Sequence, residues 1–310
     1  MQSIASKIVV LGTGGTIAGT SLDAADNVGY TAAQLEVSSL VRAVPPLADV
    51  PLEAEQVAQV DSKDMSHAVW RALALRCAHH LARPEVAGVV ITHGTDTLEE
   101  TAWFLQRVLA PAKPIVLTAA MRPATALQSD GPQNLLDAVC VARSAVASGV
   151  VAVLGGQVHG ARDVRKVHPY RLDAFSSGDA GPIGHVEEGE LRVFRAWPHG
   201  DALGVAALPA DVSAWPRVEI VTSHSGADGA IVRALCAIGA KGLVVAATGN
   251  GTLHAELEAA LLDAQRQGVK VLRSTRCCGG RVLAADSDAL PAADDLIPVK
   301  ARVELLLQLL

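Results

Sequence analysis

The sequence predicts an α/β fold: a mainly parallel sheet flanked by helices in a larger N-terminal domain, followed by a smaller α/β C-terminal domain. Apolar runs of strand length alternate with segments of helical periodicity along most of the chain. Half of the residues are hydrophobic, yet the longest apolar runs, such as residues 150–154, are short, which is typical of strands buried on both faces. Glycine-rich and polar segments follow several of these runs, as ligand-binding loops do at the carboxyl edge of such sheets.

Composition limits the classes of function. The 310 residues leave room for two domains of roughly 150 residues each. The 26 lysines and arginines against 32 aspartates and glutamates give a net charge of -6. The chain therefore lacks the positive field that would attract a phosphate backbone, and we expect no nucleic-acid partner. The mean hydropathy is +0.31, but no run approaches the roughly 18 apolar residues of a membrane span, so we expect no membrane partner.

The N-terminus and the cysteines indicate a cytoplasmic protein. Lys7 is followed at once by a strand-like run and then by glycines, without the long apolar region of a secretory signal. Three of the five cysteines lie in helical-looking segments, and Cys277 and Cys278 are adjacent. Because no C-x-x-C pair is present, we expect reduced, structural thiols and no metal site.

The N-terminal domain, residues 1–195, contains most of the alternation. Strands are predicted over residues 7–11, 56–60, 89–92, 114–118 and 150–154, and helices over residues 31–43, 66–81, 97–109 and 134–147. Pro45 and Pro46 end the first helix, and Ser66 is a candidate cap for the second. The loops at residues 13–16, 62–65 and 92–96 each follow a strand, so they should converge on one edge of the sheet.

The alternation fades over residues 196–216, where prolines and glycines suggest a linker. It restarts in a C-terminal domain, residues 217–310. Strands are predicted there over residues 218–222, 242–246 and 269–273, and helices over residues 228–238, 254–267 and 299–309.

The first loop, Gly12-Thr13-Gly14-Gly15-Thr16, invites a nucleotide-binding interpretation. A dinucleotide fingerprint would need a third glycine where Ile17 stands, and the lysine of a phosphate-binding P-loop is absent. Gly14 and Gly15 still permit a sharp turn and a close approach of backbone to a ligand, with the Thr16 hydroxyl facing the cleft. The alternative is a plain tight turn.

Two further segments carry polar or charged groups, and the first of them faces the same edge. In residues 91–101 a hydroxyl, Thr95, stands beside a carboxylate, Asp96, between a strand and a helix. The alternative there is helix capping by Thr95 or Asp96, with Glu99 completing a capping box. Residues 160–166 are charged and end at Lys166; the alternative is an ordinary solvated loop.

Residues 20–29 form a polar stretch that precedes Tyr30 and contains Asn27 and Gly29. Such a stretch is typical of a mobile lid. The alternative is a structural tyrosine at the start of the next helix.

Together these segments resemble the bacterial-type L-asparaginases. Residues 12–19 are similar to the first signature of that family, and residues 92–101 are similar to the second. Further matches, in the same order along the chain, are residues 61–65, 119–123, 129–135, 160–166, 249–251 and 298–302.

The resemblance implies hydrolysis of the side-chain amide of L-asparagine to L-aspartate and ammonia, with no metal or organic cofactor. It makes Thr16 the nucleophile that forms an acyl-enzyme ester, and Tyr30 the partner that activates it. Thr95 and Lys166 resemble the second hydroxyl and the lysine that position the attacking group and assist proton transfer. Backbone N–H groups of Thr16 and Thr95 would hold the oxyanion.

The resemblance also implies how the amino acid is bound. Ser62, with backbone N–H groups near Gly15 and Thr95, would receive the substrate carboxylate. Asp96 carries the negative charge that would meet the ammonium group. The backbone at Ala120 would lie near the side-chain amide.

Two departures from the family pattern affect the expected site. Lys63 stands where many secreted members have glutamine, and it would bring a cation near the substrate carboxylate if it pointed inward. Secreted members also carry a glutamate on a C-terminal-domain loop that reaches the neighbouring subunit's site. Residues 276–297 contain no glutamate; their acidic residues are Asp286, Asp288, Asp294 and Asp295. Either an aspartate substitutes, or affinity and selectivity between asparagine and glutamine differ.

The resemblance further implies a homotetramer of intimate dimers, with the sites completed at the dimer interface and Asn250 contributed across it. The high hydrophobic content is consistent with such an interface.

Other interpretations remain open. The same fold is compatible with a dual glutaminase-asparaginase, or with the asparaginase-like part of a transamidating complex, which the lack of an extra N-terminal domain disfavours. A non-catalytic sensor of asparagine or aspartate is a third interpretation, disfavoured because all the family's reactive residues are present. The displaced third glycine disfavours a nucleotide-dependent dehydrogenase.

Overall fold

The computed structural model describes residues 7–286 and 288–310. The chain divides into two compact units, of which the first ends at Val205 and the second is Ala206–Leu310. This boundary falls inside the predicted linker, residues 196–216. Residues 1–6 of the predicted N-terminal domain, and residue 287, lie outside the described part of the chain.

The first unit is organised around one eight-stranded sheet. Five of its strands, β1 (Lys7–Gly14), β2 (Leu52–Val60), β3 (Val86–Thr92), β4 (Ile115–Thr118) and β5 (Val150–Leu154), are parallel and run in the order β2-β1-β3-β4-β5. The predicted mainly parallel sheet is therefore confirmed. The carboxyl ends of β1, β2 and β3 are adjacent, which is where a ligand binds in sheets of this kind.

Helices flank this sheet. They are α1 (Val37–Arg42), α2 (His67–Leu81), α3 (Leu98–Leu109) and α4 (Gly131–Arg143). α1 and α4 contribute Leu40, Leu135 and Ala138 to a buried cluster that includes Ile8 and Val10 of β1. α2 and α3 pack on each other, with the rings of Trp70 and Phe104 stacked at 4.9 Å. Apolar side chains on both faces explain why the central strands contain almost no polar residue.

Two helix predictions require correction. Residues 31–43 were expected to be one helix, but only Val37–Arg42 is helical. Thr31 instead forms a bridge with Thr20, and Ala33 adopts a positive φ of 57°. The Ala33 N–H donates to the Gly15 carbonyl, so this stretch braces the glycine-rich loop rather than coiling. α4 begins before the predicted 134, because Pro132 is well suited to a first helical turn. It ends at Arg143 rather than at the predicted 147.

The rest of the sheet was not predicted. β6 (Gln157–Gly160), β9 (Gly184–Glu187) and β10 (Glu190–Val193) extend it with antiparallel pairs in the order β5-β6-β9-β10, whereas β7 (Arg165–Lys166) and β8 (Phe175–Ser176) form a separate two-stranded ribbon. These strands have at most four residues each, too few for an alternating pattern to be recognised.

The second unit is a smaller α/β unit, as predicted. Its strands β11 (Val218–Thr222), β12 (Gly242–Ala247) and β13 (Lys270–Thr275) are parallel, and its helices are α5 (Ala230–Ala237), α6 (Ala255–Arg266) and α7 (Pro298–Gln308). Every residue of β12 is buried, and Val245 packs in one cluster with Leu257 and Leu261 of α6.

The cysteines and the helices bear on two sequence-based expectations. All five cysteines are free, and burial raises the pKa of the Cys77 thiol. No helix in the described ranges is long and apolar enough to cross a membrane.

Candidate active site

The three polar loops meet at the carboxyl edge of the sheet, as predicted. The Gly15 N–H donates to the Val60 carbonyl at 2.9 Å, and the Thr13 hydroxyl donates to the Thr92 carbonyl at 2.9 Å. The Asp96 N–H donates to Ser62 Oγ at 3.1 Å. Hydrogen bonds therefore join each loop to another.

Glycine is required where the first and third loops touch. Gly15 has a φ of 78°, a conformation that other residues rarely adopt. A Cβ at Gly15 would collide with the backbone of Gly94, and a Cβ at Gly94 would collide with Ser62 Oγ. The two main chains are thus in direct contact beneath the site. The Gly15 N–H is already bonded to Val60, so Gly15 contributes close approach rather than a donor for a ligand.

Thr16 and Tyr30 form the first pair of reactive groups. Thr16 begins a short 3₁₀ turn, Thr16–Ala18, and is 8% exposed. Its Oγ1 lies 2.7 Å from the Tyr30 hydroxyl. The bridge between Thr20 and Thr31 closes the base of the intervening segment, which places the ring of Tyr30 beside the turn.

Thr95, Asp96 and Lys166 form a second group. The Lys166 ammonium donates to Thr95 Oγ1 at 2.9 Å and to Asp96 Oδ1 at 2.7 Å. The Lys166 backbone N–H donates to Glu99 Oε2 at 2.6 Å, which ties the two-stranded ribbon to α3. The Thr95 side chain is buried, whereas that of Asp96 is 52% exposed, so its carboxylate remains open to a ligand.

The capping interpretation of this segment is wrong. α3 begins at Leu98 with Thr97, not Thr95 or Asp96, at the capping position, and the Thr97 side chain makes no capping hydrogen bond. Glu99 accepts from the Lys166 backbone N–H. The polar side chains of residues 95 and 96 are therefore available to the site.

Ser62 and Lys63 are neighbours in different settings. Ser62 is 2% exposed, and because its Oγ accepts from the Asp96 N–H, its own hydrogen is left to donate to a ligand. The Lys63 ammonium is held by Asp61 and Asp64 at 3.0 and 2.9 Å on an exposed side chain. Those two carboxylates raise the pKa of Lys63. The cation is thus already paired with surface carboxylates.

Two residues missed by the site prediction hold the loop that contains Ala120. Asp130 accepts from the Met121 and Arg122 N–H groups, both at 3.0 Å. Asn134 donates to the Ala119 carbonyl at 2.9 Å and accepts from the Gly155 N–H at 2.9 Å. Both lie in residues 129–135, a segment noted for its resemblance but given no role; a buried amide at a helix start was the available signal.

Most of the chain matches two family models in succession. Residues 7–199 match the model described as Asparaginase, N-terminal, and residues 217–310 match the Glutaminase/Asparaginase C-terminal domain. This chain belongs to the asparaginase family. The resemblance stated from the two signatures is therefore confirmed.

Individual members of the asparaginase family are similar to this chain over almost its whole length. It is 38% identical over 311 residues to a glutaminase-asparaginase of Pseudomonas aeruginosa, covering 97% of this chain and 86% of the relative. It is 38% identical over 316 residues to L-asparaginase 2 of Escherichia coli, covering 98% and 88%. The crystal structure of a probable cytoplasmic L-asparaginase from Campylobacter jejuni superposes with a TM-score of 0.93 at 39% identity, covering 98% and 95%.

Asn250 belongs to the second unit of this asparaginase-family chain. Its amide donates to the Leu283 carbonyl at 3.1 Å and accepts from the Leu283 N–H at 2.7 Å. Among the acidic residues considered in place of the family's glutamate, Asp288 is paired with Arg273 at 2.5 Å and accepts from the Ala285 N–H. Asp288 therefore already has a structural task within its own unit.

Proposed function

We propose that this protein hydrolyses the side-chain amide of L-asparagine to L-aspartate and ammonia through a Thr16 acyl-enzyme. The observation that carries the proposal is the 2.7 Å contact between Thr16 and Tyr30, at the edge where Thr95, Asp96 and Lys166 also meet. Membership of the asparaginase family supports the reaction class.

Recognition of the amino acid follows from charge. The open carboxylate of Asp96 meets the substrate ammonium, and the buried Ser62 hydroxyl donates to the substrate carboxylate. The loop containing Ala120 lies against the side-chain amide, held in place by Asp130 and Asn134. Lys63 has no part in binding, since Asp61 and Asp64 engage its ammonium.

Attack begins at the Thr16 hydroxyl, a weak nucleophile that needs a proton acceptor. As the Thr16 oxygen bonds to the amide carbon, Tyr30 takes the hydroxyl proton and passes its own proton to the departing nitrogen. Ammonia leaves and an ester remains on Thr16. Water then attacks the ester by the reverse proton path, releasing L-aspartate and restoring the Thr16 hydroxyl.

The second group, formed by Thr95, Asp96 and Lys166, polarises and orients the reacting groups. Because Lys166 donates to Thr95 Oγ1, the hydrogen of the Thr95 hydroxyl is left to donate to the reacting group, and the adjacent cation makes it a better donor. Neither the Thr16 nor the Thr95 backbone N–H donates to any other residue in the described part of the chain. These two N–H groups stabilise the oxyanion of each tetrahedral intermediate.

A dual glutaminase-asparaginase is the second candidate. The relatives that carry that name are as similar to this chain, at 38 and 37% identity, as L-asparaginase 2 of E. coli at 38%. The absence of a glutamate from residues 276–297 also favours altered selectivity between asparagine and the longer glutamine side chain.

A cytoplasmic location and a homotetramer of intimate dimers complete the proposal. The first is supported by the similarity to the probable cytoplasmic L-asparaginase of C. jejuni, and the second by the family resemblance. Asn250 would act across the dimer interface by shaping its own loop, because its amide is occupied by Leu283.

The decisive experiment measures ammonia release from L-asparagine, L-glutamine and D-asparagine by the purified protein and by Thr16→Ala. We expect release from L-asparagine that falls by roughly 10³-fold or more in Thr16→Ala, while the exposed control Thr222→Ala retains wild-type turnover. Added hydroxylamine should intercept the ester and yield the β-hydroxamate of aspartate. Near-normal turnover in Thr16→Ala would show that the nucleophile is misassigned.

A further inference from the structure

His93 is a buried titratable side chain that the proposed mechanism does not use. It follows the end of β3 and is 0% exposed. Its Nδ1 lies 2.7 Å from the Gly94 carbonyl oxygen, and its Nε2 lies 3.0 Å from Thr101 Oγ1. Thr101 is also fully buried, and its Oγ1 accepts from the indole N–H of Trp70 at 2.9 Å. The imidazole therefore links the core between α2 and α3 to the loop of Thr95.

The donor and acceptor types of the partners, together with the pKa of His93, give the direction of each hydrogen bond in this chain of groups. An indole N–H only donates, so the Thr101 oxygen accepts from Trp70. A carbonyl only accepts, so the proton of the imidazole resides on Nδ1 and points to Gly94. Burial lowers the pKa of His93 to about 4, so near neutral pH the imidazole carries only this one proton. Its Nε2 then accepts the hydrogen of the Thr101 hydroxyl.

The hydrogen bond from His93 Nδ1 to the Gly94 carbonyl also affects the orientation of the Thr95 N–H. The Gly94 carbonyl and the Thr95 N–H belong to one planar peptide and point in opposite directions. Holding the carbonyl toward the buried His93 turns the Thr95 N–H away from the core. Glycine has no side chain to restrict its dihedral angles, so Gly94 itself does little to prevent this peptide from flipping.

We propose that His93 is a positioning residue, which locks the Gly94–Thr95 peptide with the Thr95 N–H directed at the oxyanion. The inference rests on the proposed function for the identity of that oxyanion. His93 does not touch the substrate; it acts through the peptide, and Thr101 acts through His93 by fixing its tautomer.

Four variants test the inference. His93→Leu fills the space but removes both hydrogen bonds, whereas His93→Asn keeps an amide donor near the position of Nδ1. Thr101→Val removes only the hydroxyl that orients the ring. His80→Gln is the matched control: His80 is equally buried, at 1%, but bonds to Glu55 and Arg83 away from the loop.

We expect His93→Leu to lower kcat by about 10²-fold, the scale of losing one oxyanion donor. L-Aspartate, which forms no oxyanion at its side chain, should bind with little change. His93→Asn should recover most of kcat, and Thr101→Val should lower it less than His93→Leu does. His80→Gln should reduce thermal stability without changing kcat.

Two results of the kinetic and binding measurements would overturn the inference. One is an unchanged kcat in folded His93→Leu; the other is an equal loss of kcat and of L-aspartate affinity in His93→Leu and His93→Asn, which indicates a structural role only. Nitrogen-15 spectra of labelled histidine give a readout that needs no turnover: at pH 7, one His93 nitrogen should be protonated, at Nδ1, and protonation at Nε2 instead would contradict the network. If the wild-type protein released no ammonia, the proposed function would fail, while these spectra would still judge the network.

Discussion

Lys166 Nζ lies 2.7 Å from Asp96 Oδ1, although the two residues are 70 positions apart in the sequence. The same ammonium reaches Thr95 at 2.9 Å. One cation thus restrains both the hydroxyl and the carboxylate of the second loop signature, and leaves the rest of the Asp96 carboxylate open.

Removing the charge of Asp96 should impair substrate binding more than turnover. Asp96→Asn keeps the shape but loses the countercharge for the substrate ammonium, so we expect KM for L-asparagine to rise by about tenfold to a hundredfold. Asp64→Asn is the control, because Asp64 pairs only with the exposed Lys63 in the described contacts. Steady-state kinetics would contradict this assignment if both variants had the same KM.

The two tyrosines of the chain offer a matched comparison. Tyr30→Phe removes the hydroxyl that contacts Thr16, and we expect kcat to fall by about 10²- to 10⁴-fold, the range of general acid–base catalysis. Tyr170→Phe keeps the ring on which Arg122 stacks at 4.1 Å, so turnover should remain at the wild-type level. Equal activity of the two variants would remove Tyr30 from the mechanism.

Asn134 should matter for both stability and binding. Its side chain is 3% exposed and bonds to Ala119, Asp130 and Gly155. Asn134→Ala leaves buried groups without partners, so we expect the free energy of unfolding to fall by about 3 kcal/mol and KM to rise as the Ala120 loop loosens. Urea unfolding is the measurement, with the exposed Gln128→Ala as the control; a change below about 1 kcal/mol would contradict the clamp.

Stability should decline in acid because of His93. The pKa of this imidazole is lowered from 6.5 to about 4 by burial, so the unfolded chain binds a proton that the folded chain refuses between those values. The contribution of neutral His93 to the free energy of unfolding is therefore fully present above about pH 6.5. It is lost as the pH falls to about 4, a decrease of about 3 kcal/mol in all. His93→Asn should lack this component in unfolding curves measured across that range; an identical pH slope would contradict the shift.

The sequence was most informative where residues are buried and periodic. β5, β11 and the helix capped by Ser66 occupy the predicted positions, because apolar spacing and a capping hydroxyl are local signals. The helix expected from residue 31 failed because its N–H groups bond to Gly15 and Ala18, which are distant in the chain. The short strands β6 to β10 gave too little pattern to detect.

For the candidate site, the signatures identified which residues to examine, but their partners came only from the structure. These partners depend on the direction of each side chain. Lys63 is paired with Asp61 and Asp64, and Glu99 accepts from the Lys166 N–H. A sequence does not encode that direction locally. His93 was equally hidden, because its role depends on Thr101 and Trp70 from two different helices.

The contact between Gly15 and Gly94 limits how this enzyme could be redesigned. Because the two main chains already touch, no substitution at either position can enlarge or reshape the base of the pocket without separating the loops. Attempts to broaden the range of amides should therefore target the rim, where Asp96 and the segment of Tyr30 are at least partly exposed. Libraries that randomise Gly15 or Gly94 would mostly contain variants in which the two loops are forced apart and the site is disrupted.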